Sequence, residues 1–149
     1  SVLITDNYNM DTSEVAMKLF AIGDMYVAQK KYSKALRSYD SIYNQFQNHS
    51  LNDDILFRKS QVFKIQQMQD KAINALKQLE EEFPGSIILD KALLSIAKLY
   101  EEDLNDFESA KKYYRKILFD HPSSLYVIDA RKRFRKLSGK TNQNINKSS

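Results

Sequence analysis

The amino-acid sequence predicts an all-α fold of stacked helix pairs, and three observations predict it. Helix breakers are scarce: 149 residues contain three Gly and two Pro, too few for the many tight turns of an all-β chain. Apolar residues recur three and four positions apart, the spacing that lines them along one stripe of a helix. The same pattern then returns, with Ala35, Ala72 and Ala110 separated by 37 and 38 residues.

The elements follow in order. Residues 1–12 are polar and read as a flexible leader. The first repeat spans about 13–48, with helices near 13–29 and 32–47; its stripe is Leu19, Ile22, Tyr26, then Tyr32, Ala35, Tyr39 and Ile42. The second spans about 51–84 (helices 52–66 and 69–83), with Leu56, Phe63, Ala72, Leu76 and Leu79. The third spans about 87–122 (helices 87–102 and 106–120), with Leu93, Ile96, Tyr100, Phe107, Ala110, Tyr114 and Ile117. Small residues at Gly23, Ser60 and Ala97 let the paired helix approach, and the three repeated alanines do so from the other side. Asp53-Asp54 and Asp90 open their helices with acids suited to the positive end of the helix dipole. Ser123 or Ser124 can cap a seventh helix over 123–138, and residues 139–149 have no apolar face and read as a disordered tail. Lys59 falls where the other copies place an apolar residue. The third copy carries one extra residue in its internal turn, Glu101 to Asn105.

This set of small residue, aromatic, Ala and late Pro resembles the tetratricopeptide repeat family over residues 13–138. The longer period, with Pro84-Gly85-Ser86 and Pro122-Ser123-Ser124 between copies, is similar to bacterial envelope-associated members of the Bacteroidetes type. The stretch from Pro122 resembles the close of a longer array. The resemblance implies a right-handed α–α superhelix of three helix pairs with a C-terminal capping helix. It also implies a concave groove, lined by the first helix of each pair, that receives a peptide or helix of a partner protein. Carried onto this chain, the groove positions are Phe20, Asp24 and Val27, then Phe57, Arg58, Gln61 and Lys64, then Leu94, Lys98 and Glu101. Phe20 and Phe57 stand as either partner anchors or core. One subset of the family grips a C-terminal carboxylate with Lys and Asn; those positions here hold Phe20 with Asp24, Phe57 with Gln61 and Leu94 with Lys98, so that clamp is not expected.

Chemistry is not legible in the chain. There is no Cys, which removes disulfides, thiolate metal sites and thiol nucleophiles together. His49 and His121 sit in turns without a carboxylate or Ser at a spacing that makes a dyad. Gly139-Lys140-Thr141 imitates the end of a phosphate loop, but Phe134 occupies the place of its first Gly. Glu80-Glu81-Glu82 and Glu101-Glu102-Asp103 read as solvated faces. Asn48-His49-Ser50 and Asn146-Lys147-Ser148 match a glycosylation pattern short enough to arise by chance. No catalytic residue, metal or cofactor is expected. The five repeat-position tyrosines read as packing residues with hydroxyls near solvent.

The net charge of +4 is uneven: residues from Asp129 onward carry +6 and the rest −2. Arg131, Arg135 and Ser138 share one face of the seventh helix, while Ala130, Phe134 and Leu137 form its apolar stripe. Exposed charge on a terminal capping helix mainly keeps that end soluble; in the competing reading, Arg131, Arg135 and Lys136 are the candidate contacts for an anionic surface. Acidic lipid is preferred to nucleic acid, because no free aromatic accompanies the charges. The functional expectation is a non-enzymatic protein-binding module. The alternatives are an envelope assembly component, with the periplasm or cell envelope preferred to the cytoplasm, and a homo-oligomeric scaffold.

Overall fold

The computed structural model describes residues 2–47 and 50–148, and the side chains of 12–47 and 50–140. Among these, every regular element is helical. α1 (Val2–Ala28) and α2 (Tyr32–Gln45) form the first antiparallel pair, α3 (Asn52–Ile65) and α4 (Gln69–Glu82) the second. α5 (Leu89–Lys98) runs into a π-helical turn (Leu99–Asp103) and pairs with α6 (Phe107–Asp120), and α7 (Val127–Ser148) closes the stack. Each pair stacks on the next in a right-handed superhelix, with α2 against α3, α4 against α5 and α6 against α7.

Each helix pair is held by the spacing the sequence displays. Ala35, Ala72 and Ala110 are fully buried, as are Tyr39, Leu76 and Tyr114 one turn further on. Gly23 is required where it stands: a Cβ there would lie 2.5 Å from Cε1 of Tyr39. The aromatic ending each first helix is covered by a lysine. Lys34 lies over Tyr26 at 5.8 Å, Lys71 over Phe63 at 5.9 Å and Lys77 over Tyr100 at 5.5 Å. Lys59, the apparent misfit of the second copy, reaches Asp40 of α2 at 2.6 Å.

The turns within the pairs are alike. Lys30, Gln67 and Asn105 take the left-handed conformation, with φ of 60°, 60° and 52°. In the first two, the following N–H closes back onto Tyr26 or Phe63 and satisfies a carbonyl at the helix end. A side chain at such a position costs energy that Gly avoids. Gln67→Gly is therefore expected to stabilise the chain by about 1 kcal/mol, read as a rise in thermal midpoint. The extra residue of the third copy is absorbed at the end of α5, where the Leu104 N–H bonds to the Leu99 carbonyl five residues back. A π-turn takes in one residue without breaking the helix.

The turns between repeats carry a bond that the sequence did not advertise. Ser86 Oγ donates to Asp53 Oδ2 and Ser124 Oγ to Asp90 Oδ2, both at 2.6 Å. Each Ser Oγ also accepts an N–H two residues on, from Ile88 and Tyr126 respectively. Asp53 and Asp90 thus anchor the next repeat as well as opening their own helix. Ser124 caps the turn that leads into α7 rather than α7 itself. Ser86→Ala and Ser124→Ala are each expected to lower stability by about 1–2 kcal/mol, checked by urea unfolding.

The helical boundaries differ from expectation at both ends. α1 begins at Val2, inside the span read as a flexible leader, and α7 continues to Ser148 through the span read as a disordered tail. No Pro or Gly falls between Val2 and Ile22, and lengthening a helix already nucleated by packing costs far less than starting one. Gly139 is the only breaker in α7 and sits in helical φ.

Candidate functional site

A recess of about 380 Å³ lies between α1 and α3, lined by Asp24, Val27, Ala28, Tyr39, Arg58, Gln61, Val62 and Ile65. Four of the groove positions expected from sequence, Asp24, Val27, Arg58 and Gln61, meet there. Its polar centre is built by three elements. Tyr39 reaches across from α2 and donates to Asp24 Oδ1 at 2.5 Å, and Arg58 of α3 lies 3.6 Å from Asp24 Oδ2. Arg58 also lies over the Phe20 ring at 5.4 Å, and Phe20 stands 5.9 Å from the Tyr39 ring. Burial, then the Asp24 carboxylate, hold the Tyr39 proton well above the usual tyrosine range. Ile65, 52% exposed, supplies an apolar wall.

The remaining expected positions divide. Phe57 and Leu94 are 8% and 7% exposed and belong to the main core. Of the two readings open for Phe57, core packing describes its place, and Lys91 lies over its ring at 4.6 Å. Phe20 is half-buried at the groove edge. Lys64 is exposed on the same face of α3, and Lys98 stands 3.9 Å from Asp129. Arg131, Arg135 and Lys136 are all exposed on α7.

A second polar centre joins α6, the π-helical turn and α7. Tyr114 donates to Glu101 Oε1 at 2.6 Å, and Arg133 contacts Glu101 at 3.4 Å, Glu102 at 2.9 Å and Asp129 at 3.1 Å. Tyr39 and Tyr114 occupy the same repeat position, so the motif of a buried tyrosine, a groove carboxylate and an arginine occurs twice. This corrects two expectations. The Tyr39 and Tyr114 hydroxyls are bound rather than near solvent, and the acidic runs are not simply solvated. Glu80 pairs with Lys116 at 2.9 Å, and Glu82 accepts from Tyr43. The tyrosine positions were visible in sequence; their carboxylates were not, because they come from another helix.

His121 ends α6, where its N–H bonds to the Ile117 carbonyl; His49 and the Asn48 pattern fall outside the described residues. Among the described residues, no three His, Cys, Asp or Glu side chains gather to hold a metal, and no helix is long and apolar enough to cross a membrane.

The sequence pattern of the tetratricopeptide repeat matches residues 54–86 and 91–124, the second and third helix pairs. These two helix pairs carry the tetratricopeptide repeat. No curated protein sequence matches it, but solved structures of this repeat type do. The first repeat domain of Spaghetti (RPAP3), bound to the HSP90 peptide SRMEEVD, aligns with a TM-score of 0.66 at 19% identity, covering 87% of this chain and 95% of that one. The TPR2AB domain of yeast Sti1, in complex with an HSP90 peptide, aligns at 0.72 and 17%, covering 89% and 51%. A tetratricopeptide repeat protein from Parabacteroides merdae aligns at 0.66 and 23%, covering 85% and 47%. At these identities the likeness is one of fold. This tetratricopeptide array spans about half the length of the last two chains.

Proposed function

We propose that the array is a non-catalytic binding module that receives an extended or helical segment of another protein along its concave groove. The observation that carries this reading is the recess between α1 and α3, where Arg58, Gln61, Ile65 and Val27 present mixed polar and apolar surface. Asp24 is already fixed there by Tyr39 and Arg58. Ordering these side chains before the partner arrives lowers the entropy cost of binding. A photo-crosslinker at Gln61 is expected to capture a cellular protein that the same group at Asn74, exposed on α4, does not. Equal capture from both positions overturns the groove.

The ligand differs in kind from the HSP90 peptides of the structural neighbours. Asp24 places a carboxylate where a peptide's C-terminal carboxylate would need a cation. The peptide SRMEEVD is expected to give no saturable binding by fluorescence anisotropy.

A second reading, self-association, is favoured by α1. Ile22 and Met25 are 38% and 48% exposed. The residues at Met25's position in later repeats, Val62, Leu99 and Leu137, are 2%, 3% and 0% exposed under the preceding helix. A second copy covering this stripe predicts a dimer mass by light scattering that Ile22→Glu abolishes.

A further inference from the structure

α7 occupies the place that the first helix of a further pair would take, and among the described residues no helix covers its outer face; its residues say what that face suits. In repeats two and three, the second helix lies against Leu56, Ser60 and Phe63 of α3, or Leu93, Ala97 and Tyr100 of α5. The matching α7 positions are Arg131, Arg135 and Ser138. On α6, Arg115 matches Lys77 of α4, and Lys77 faces the next second helix, 5.9 Å from the Tyr113 ring. Arg115 in turn lies over Phe134 of α7 at 5.3 Å, one residue before Arg135 and three after Arg131. Arg115 thus covers Phe134, and two more exposed arginines, Arg131 and Arg135, stand on the α7 face whose counterparts on α3 and α5 meet a second helix. The edge between α6 and α7 is therefore a trough rimmed by three arginines. None has a carboxylate partner among the described residues. Arg133, on the groove side of the same helix, has three.

An apolar helix of the α4 or α6 kind does not fit this seat, because it would bury two guanidinium groups without counter-charge. We propose that the α6–α7 trough binds an acidic amphipathic helix of another protein in the position that a second helix holds in the other pairs. Its carboxylates meet Arg131 and Arg135 in the bidentate geometry that guanidinium favours, while its apolar edge rests on Phe134. The trough is separate from the concave groove, so loss of groove binding leaves it untouched.

The test uses the full chain and a labelled peptide of α4 sequence, Gln69–Glu82, held helical by a link between positions 70 and 74. Leu76 of this peptide matches the side chain that faces the small-residue position, which is Arg135 in α7. The parent peptide is expected to bind weakly, and the Leu76→Glu peptide at least about tenfold more tightly. Arg131→Glu with Arg135→Glu should remove that gain while the thermal midpoint holds, and a Leu76→Lys peptide should then bind the doubly reversed chain. A Leu76→Glu peptide no tighter than its parent, or one indifferent to the double reversal, overturns the proposal. So does tighter arginine-dependent binding to phosphatidylglycerol vesicles or duplex DNA than to the Leu76→Glu peptide, because the surface would then be a phosphate site.

Discussion

Gly23→Val is expected to unfold the first helix pair while the second and third remain. A Cβ at this position comes within 2.5 Å of Cε1 and 2.9 Å of Cδ1 and Cζ of Tyr39. The ring cannot retreat: it is fully buried, and its hydroxyl is tied to Asp24. α1 must therefore move away from α2 and open the smaller core cluster formed by Ala16, Ala35, Tyr39, Ile42, Ile55 and Val62. Overpacking of this kind costs about 1–3 kcal/mol, sometimes more, and a branched side chain in a helix adds to it. We expect a loss of about 3 kcal/mol, with Gly23→Ala losing less because Ala favours helix and adds one carbon. Hydrogen exchange separates the outcomes. Protection should fall in α1 and α2 and persist in α5 and α6; uniform loss would mean that the array unfolds as one unit. A variant as stable as the parent would show that Tyr39 has room to move.

Tyr114→Ala is expected to destabilise the array by about 3–5 kcal/mol, the range for removing a buried aromatic side chain. Tyr114 is fully buried, with 0% of its surface in solvent, and packs in the cluster shared by the second and third pairs and α7. Tyr114→Phe isolates the hydroxyl and should cost about 1–2 kcal/mol, because Glu101 keeps Arg133 as a partner. The same hydroxyl sets an alkaline limit. Burial first, then the bond to Glu101, raise the Tyr114 pKa above its ordinary value of 10.0. A group whose folded pKa is raised contributes stability that is complete below the unfolded value and lost as pH climbs through the folded one. Stability should therefore decline above about pH 10, with tyrosinate absorbance from Tyr114 appearing together with unfolding. Tyr114→Phe should flatten that decline. Early, independent ionisation of Tyr114 would mean that its hydroxyl is open to water.

How far the chain could be read in advance depends on the range of the interaction. The helices of the three pairs, the small residues at the crossings and the apolar stripe of α7 follow from spacing within one helix or from one repeat to the next. The recess between α1 and α3 was legible only as a set of positions. Asp24, Val27, Arg58 and Gln61 come together as the repeat register requires. Phe57 and Leu94 do not join them, because register cannot tell a residue at the groove lip from one a few ångströms deeper under the next helix.

By itself, then, the amino-acid sequence determined an all-helical array of three pairs and a seventh helix, with positive charge gathered at the C-terminal end. Periodicity and a shortage of breakers act locally, and repetition copies the result. Only the tertiary structure decided the partners of the polar side chains. Ser86 meets Asp53, Tyr114 meets Glu101, and Arg133 gathers three carboxylates while Arg131 and Arg135 gather none among the described residues. Those pairings join residues on different helices, and burial makes each worth more than its sequence neighbourhood suggests. Stacking sets the distances between them, and no stretch of sequence contains stacking on its own.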